Sequence, residues 1–306
     1  MGVGLAALVL LFLLVDLSEL TLTLDRGAAA GVAACLLLLG VGLTLSALRW
    51  RLVLGLGAPF GFLWKLYLIG WFCSMFLPTS VGGDAVRAVG IARSGLGWGT
   101  GFASIVVERF LGVAALFFVL GIGLVVAPAV FGDVLAAVTW SPRWWWAVAG
   151  LFVLAVASIV AIRAARRSDP LRRMAREVRQ LLGRCRDEPR RMGAALVVSF
   201  GVQSVYVAAW ALLASGLGLD VPFGAFLLFV PVVSLAGMLP VTVGGLGVRE
   251  GAWVALLYPF GISAADAVGF SLLFYLCGVG IGVVGAVLFM TSGLSDPEVG
   301  RSVEAS

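Results

Sequence analysis

The sequence predicts an all-α polytopic membrane protein. It has six spanning helices plus two re-entrant helical hairpins in an inverted repeat, or eight spans if the hairpins cross fully. Three observations carry this. Of 306 residues, 61% are hydrophobic and only 12% charged, with a mean hydropathy of +1.11; an ordinary soluble domain is about a quarter charged. The charged residues are spaced so that long runs contain none: 1–15, 27–48, 110–132, 144–162, 192–219, 221–248 and 267–295. An eleven-residue motif also occurs twice. These features exclude a soluble globular enzyme, a disordered chain and a disulfide-stapled secreted module, and the chain 1–306 reads as a single membrane domain.

A helix needs about 20 apolar residues to cross a bilayer, and most of the charge-free runs are long enough. The first is short. It lacks a basic leader, and Asp16, Glu19 and Asp25 separate it from Ala28-Ala29-Ala30, so residues 3–17 are read as a first span in preference to a cleaved signal. The segment 163–191 differs from its surroundings, with eleven arginines and four acids. Asp169-Pro170 is a helix start, and Leu171, Met174, Val178 and Leu181 follow at helical spacing. This reads as an amphipathic helix on an anionic membrane leaflet, with a regulatory or partner-binding helix as the alternative. No aromatic residues interleave the arginines, so nucleic acid is not expected as a partner.

The same segment sets the orientation by the positive-inside rule. With 163–191 in the cytoplasm, Arg49, Arg51, Lys65, Arg87, Arg93 and Arg301 also fall inside, and only Arg26 and Arg143 fall outside. Asp16, Glu19, Asp25, Asp133 and Asp220 fall in outer loops, and Trp140, Trp144, Trp145 and Trp146 in an outer aromatic belt. The expected location is the plasma (inner) membrane with both termini cytoplasmic.

The repeated motif is Leu77-Pro78-Thr79-Ser80-Val81-Gly82-Gly83-Asp84-Ala85-Val86-Arg87 and Leu239-Pro240-Val241-Thr242-Val243-Gly244-Gly245-Leu246-Gly247-Val248-Arg249. Seven of the eleven positions are identical. Each follows an apolar stretch of helix length, about 61–77 and about 223–239. Proline and paired glycines end a helix, and the chain restarts as a helix after them. The result is two half-length helices joined at a tip, tolerated at membrane depth only inside protein or against a water-filled cavity. The first hairpin follows a span ending inside and the second a span ending outside. Residues 28–126 are therefore expected to mirror 192–290, a transporter-type arrangement; two ordinary kinked helices are the alternative.

Several charges lie where a bilayer disfavours them. Asp84 and Arg87 follow the first tip, and Arg249 and Glu250 the second. Glu108-Arg109 lies roughly 12 Å into the span that begins near residue 100. Charges at such depth usually face a cavity and pair with one another. Two readings stay open. One is mutual neutralisation, with Asp84 and Arg87 spaced as a local pair. The other is an anion site, in which backbone N–H groups at Gly82-Gly83 and Gly244-Gly245, beside Ser80 and Thr242, join Arg87 and Arg249 at helix starts. Glu108 or Glu250 is a candidate carrier of a coupling proton. The chain has no histidine, which removes a Ser-His-Asp triad and histidine metal ligation. Cys35, Cys73, Cys185 and Cys277 form no C-x-x-C and read as apolar fillers. No cofactor or metal is expected. Gly278 and Gly282, at G-x-x-x-G spacing, suit helix packing within or between chains.

The LP-x-S-V-GGD-x-x-R segment, the Glu108-Arg109 pair and the GGLGVRE segment together resemble the lysylphosphatidylglycerol synthase transmembrane-region family, over roughly residues 5–290. This is the flippase-like membrane half of the multiple peptide resistance factor, which also occurs free-standing. The resemblance implies a helical membrane domain with re-entrant helices and a lipid-facing cavity. It implies handling of phospholipids or polyprenyl-linked lipids, with site residues at Asp84, Arg87, Glu108, Arg109, Arg249 and Glu250. The chain has Cys73-Ser74 where the family often has asparagine, and Gly112 where it often has an acid. The soluble lysyl-transfer domain is absent from the sequence, so lipid aminoacylation by this chain alone is not expected. The expected function is transfer of an anionic lipid between leaflets, without enzymatic chemistry. An integral-membrane transferase acting on a lipid-phosphate and a scaffold for envelope-lipid biosynthesis are the alternatives.

Overall fold

The computed structural model describes residues 22, 25–55, 58–76, 81–137, 176, 178–181, 183, 186–238 and 247–294. The described chain runs through α1 (Arg26–Leu54), α2 (Phe60–Phe76), α3 (Val81–Ile91), a π-helical turn (Ala92–Leu96), α4 (Trp98–Val126) and α5 (Pro128–Ala137). It continues through α6 (Pro189–Gly216), α7 (Phe223–Gly237), α8 (Val248–Leu257), a 3₁₀ turn (Tyr258–Phe260) and α9 (Ala264–Ser292). No strand occurs among the described residues. Four of these helices, α1, α4, α6 and α9, are long and apolar enough to cross a membrane. Each is roughly 42–44 Å long at 1.5 Å per residue, more than the hydrocarbon thickness of about 30 Å. The protein is thus an all-α polytopic membrane protein. The expected spans 3–17 and 144–162, the tryptophans at 140 and 144–146, and the start of the basic helix at 169–170 lie outside the described residues.

The order long–short–short–long occurs twice, as α1–α2–α3–α4 and α6–α7–α8–α9. Nearly every packing contact in one set has a counterpart in the other. α2 packs on α9, and α7 on α4; α3 packs on α2 and α4, and α8 on α7 and α9; α4 packs on α6, and α9 on α1. The largest contact joins α1 to α6, which run antiparallel. Gly27 and Gly31 meet Gly216 at one end, and at the other Arg191 Nε donates to the Leu52 carbonyl at 2.7 Å. Glycine makes this approach possible: a Cβ on Gly216 would lie 2.7 Å from the Gly27 carbonyl oxygen. Gly123 and Gly285 are as far apart in sequence as Arg87 and Arg249. Gly123 sits where a Cβ would meet the Leu227 backbone, and Gly285 where one would meet the Leu68 backbone.

Helix ends follow local chemistry. Asp25 caps α1 by accepting from Ala28 N–H at 2.8 Å, and Ser263 caps α9 by accepting from Asp266 N–H at 3.1 Å. α1 ends at Gly55, in the left-handed region at φ 62°. The Arg191 guanidinium occupies the space a Gly55 side chain would need. Gly55→Ala is therefore expected to cost about 1–2 kcal/mol from backbone strain and to displace Arg191 from the end of α1. A lowered unfolding midpoint in detergent checks this.

One expectation changes: Asp133, expected in an outer loop, lies within helix α5. Arg49, counted with the charges on the inner side, lies within α1 and is buried. Val178 and Leu181, apolar positions of the basic segment, pack against Val53, Ala103, Val107 and Ala195.

Candidate functional site

The site starts from the α2–α3 hairpin. These helices run antiparallel, with Gly90 at Leu66 and Gly83 at Gly70 and Ser74. α3 is 11 residues, roughly 16 Å, about half the hydrocarbon thickness. A Cβ on Gly83 would fall on the Gly70 carbonyl oxygen and on Ser74 Oγ. The motif glycine therefore brings α3 close enough for Asp84 and Arg87 to face α4, which brings Glu108 and Arg109.

These side chains form an alternating chain of charge. Arg49 Nη2 donates to Glu108 Oε1 at 2.7 Å, and Tyr67 donates its phenol to the same oxygen at 2.8 Å. Arg87 Nη2 donates to Glu108 Oε2. Arg87 Nη1 reaches Asp84 Oδ1 at 3.4 Å, and Arg109 donates to Asp84 Oδ2 from Nε at 3.0 Å and Nη2 at 2.8 Å. The Arg87 guanidinium carbon lies 4.1 Å from the ring centres of both Trp50 and Tyr67, a cation–π setting. Trp50 is held in turn by its N–H to Ser104 Oγ at 2.9 Å. Burial is graded: Glu108 is 2% exposed and Arg87 4%, while the Arg109 side chain is 46% exposed. Asp84 and Arg87 pair locally as their spacing allows, and the whole group lines a cavity.

That cavity measures about 290 Å³, and Ser46, Gln203 and Tyr206 add polar groups to its wall. A second, of about 230 Å³, lies against it and contains Arg249, Trp210, Phe274 and Tyr275; Trp71, Met75, Tyr206, Ser234 and Met238 line both. Trp210 and Phe274 stack with ring centres 3.6 Å apart. Arg249 Nε is 3.7 Å from Glu250 Oε1, and its guanidinium carbon is 5.4 Å from the Tyr275 ring centre. Glu250 is fully buried and lines neither cavity. Its Oε2 accepts from Gly247 N–H at 2.5 Å and its Oε1 from Ser271 Oγ at 3.0 Å, so it caps the start of α8.

Of the residues singled out from the sequence, Gly83, Asp84, Arg87, Glu108 and Arg109 line the first cavity and Arg249 the second. Gly82 lies in the first turn of α3 and lines neither cavity. Ser80, Thr242, Gly244 and Gly245 lie outside the described residues. Asp84, in the first turn of α3, already places a negative charge near the positive end of that helix. Sequence reasoning missed Arg49, Trp50 and Tyr67. Arg49 carried a usable signal, being a charge with only Trp50 between it and Arg51 after a long apolar run; the two aromatic residues carried none.

The fold and site define a polytopic α-helical membrane protein with a charged cavity buried among its helices. Residues 1–285 match the family described as the lysylphosphatidylglycerol synthase TM region, and the chain belongs to that family. No curated protein and no solved structure matches it significantly. At the two departures noted from the family pattern, Ser74 Oγ donates to the Gly70 carbonyl at 2.9 Å, and Gly112 accepts from Gln203 Nε2 at 3.3 Å. A Cβ on Gly112 would lie 3.3 Å from Arg49 Nη1, so the glycine leaves room beside that guanidinium.

Proposed function

We propose that this protein moves an anionic, phosphate-bearing lipid, a phospholipid or a polyprenyl-phosphate-linked lipid, between the leaflets of the plasma membrane. The single observation behind this is the ion-pair chain Arg49–Glu108–Arg87–Asp84–Arg109 on a cavity wall, graded from buried to half-exposed. Its three guanidinium groups outnumber its two carboxylates, which leaves a net attraction for one anion. Arg109 has Asp84 as its bonded partner and lies at the exposed end, which suits it to meet a phosphate first. The contiguous second cavity, with Arg249 on its wall, gives the same group a second resting place.

In this reading the two helical sets are an inverted repeat, consistent with antiparallel α1 and α6, and the two hairpins are re-entrant. The chain is a transporter-like protein without catalytic residues, its termini and basic segment are cytoplasmic, and the basic segment meets the anionic leaflet. The excess of arginine in 163–191 supports that orientation.

Mass spectrometry of lipids retained through gentle purification tests the proposal. Wild type is expected to enrich one phosphate-bearing lipid over the bulk membrane. Arg109→Ala and Arg249→Ala are each expected to lower that enrichment at least tenfold while the protein stays folded. Retained lipids that mirror the bulk membrane and ignore both substitutions would overturn it.

A further inference from the structure

We propose that Asp84 competes with the substrate's phosphate for Arg87 and Arg109: the phosphate displaces the carboxylate on entering, and the returning carboxylate drives the phosphate out. This rests on the transport reading above. Asp84 bridges two guanidinium groups. Its Oδ2 accepts from Arg109 Nε at 3.0 Å and Nη2 at 2.8 Å, and its Oδ1 from Arg87 Nη1 at 3.4 Å. All three residues line the first cavity. Arginine grips carboxylate and phosphate through the same parallel pairs of N–H···O bonds. A phosphate that spans Arg87 and Arg109 therefore needs the place that the Asp84 carboxylate holds.

The two carboxylates of the cluster differ in how freely they can move. Glu108 is buried and bonded to Arg49, Arg87 and Tyr67, and moving it would strand two buried arginines. The Asp84 side chain is 19% exposed, and its stronger contact is to the half-exposed Arg109. When Asp84 turns aside, Arg87 keeps Glu108 as its counterion and Arg109 gains the phosphate. No buried cation is left unpaired, which is the costly outcome. Competition lowers the affinity of the site: the apparent value is the intrinsic one multiplied by the fraction of molecules in which Asp84 has left the fork. Movement through a site needs this, because binding must be strong enough to load and weak enough to release. The bridge belongs to the first half of the chain. At the spacing that relates Arg87 to Arg249, the positions of Asp84 and Arg109 are taken by Leu246 and Ser271.

The test compares wild type with Asp84→Asn, which keeps the shape of the side chain and removes its charge. Short-chain phosphatidylglycerol and farnesyl phosphate are each titrated into the full chain in neutral detergent and followed by calorimetry, which also tells the two lipid sources apart. Asp84→Asn is expected to bind the preferred probe several-fold more tightly than wild type. Asp84→Glu, which keeps the competing charge, is expected to bind less tightly than Asp84→Asn. In an Arg109→Ala background, Asp84→Asn is expected to gain nothing. In vesicles, Asp84→Asn is expected to exchange a fluorescent analogue of that probe between leaflets several-fold more slowly than wild type, because release is then slow. Unchanged or weaker binding by folded Asp84→Asn overturns the proposal, since a structural or substrate-contacting Asp84 gives that result. Tighter binding with exchange as fast as wild type or faster overturns the release step. No wild-type exchange above that of protein-free vesicles overturns the transport reading, while the binding comparison still decides whether Asp84 competes. No saturable binding of either probe to wild type or to Asp84→Asn overturns both.

Discussion

Glu108→Ala is expected to be the most damaging single substitution in this protein, costing about 3–5 kcal/mol, the usual penalty for removing one partner of a buried ion pair. The carboxylate is bonded to Arg49, Arg87 and Tyr67, from α1, α3 and α2 respectively. Its loss strands two guanidinium groups that are each less than a tenth exposed, and Asp84 reaches only one of them, at 3.4 Å. Arg109→Ala acts on the same network at its exposed end and is expected to cost less than about 1 kcal/mol, the range of exposed ion pairs. Thermal unfolding midpoints in one detergent compare the two directly. Adding Arg87→Gln to Glu108→Gln is expected to recover part of the loss, because one stranded charge is then removed. Equal midpoints for Glu108→Ala and Arg109→Ala would show that the buried chain does not hold the three helices together.

Gly83→Val is expected to have the second largest effect, on stability and on lipid binding together. A side chain there meets the Gly70 carbonyl oxygen and Ser74 Oγ, and both belong to α2, so neither moves without shifting that helix. Overpacking of this kind typically costs about 1–3 kcal/mol. The shift also carries Asp84 and Arg87 away from Arg109 and Glu108, so lipid retention is expected to fall as far as in Arg249→Ala. Gly121→Ala is the control. It lies within α4 with nothing within 4 Å of the added atom, and alanine is the better helix former by about 1 kcal/mol. The measurement is retained lipid per folded protein for the three variants. A Gly83→Val protein that matches the Gly121→Ala control would mean that the hairpin's close approach does not position the site.

Much of this architecture was legible from residue order, for a local reason. Crossing a bilayer demands a long apolar run, and a proline with paired glycines ends one. The expected helices at about 61–77 and 223–239 therefore stand close to the observed Phe60–Phe76 and Phe223–Gly237. The eleven-residue repeat likewise pointed to two matching sets of helices. Charges at membrane depth must find partners, which marked Asp84, Arg87, Glu108, Arg109, Arg249 and Glu250 as a set that could neutralise one another; the first four pair among themselves, and Arg249 lies beside Glu250.

Which partners they find was a tertiary matter. Glu108 bonds Arg49 across 59 positions and Tyr67 across 41, and no spacing rule joins residues so far apart. Arg49 and Arg51 count alike as charges on the inner side, yet the helix turns Arg49 inward and leaves Arg51 exposed. Glu250 was a candidate cavity residue because it follows the second tip at membrane depth, yet it turns back to cap its own helix. Gly83 looked like part of an anion cradle, and its missing side chain serves the contact of α3 with α2. Composition decides that this chain enters a membrane and where its helices break. The direction each helix faces is set by close packing of the whole bundle, and in a medium that cannot solvate a stray charge that packing selects the ion pairs and hence the site.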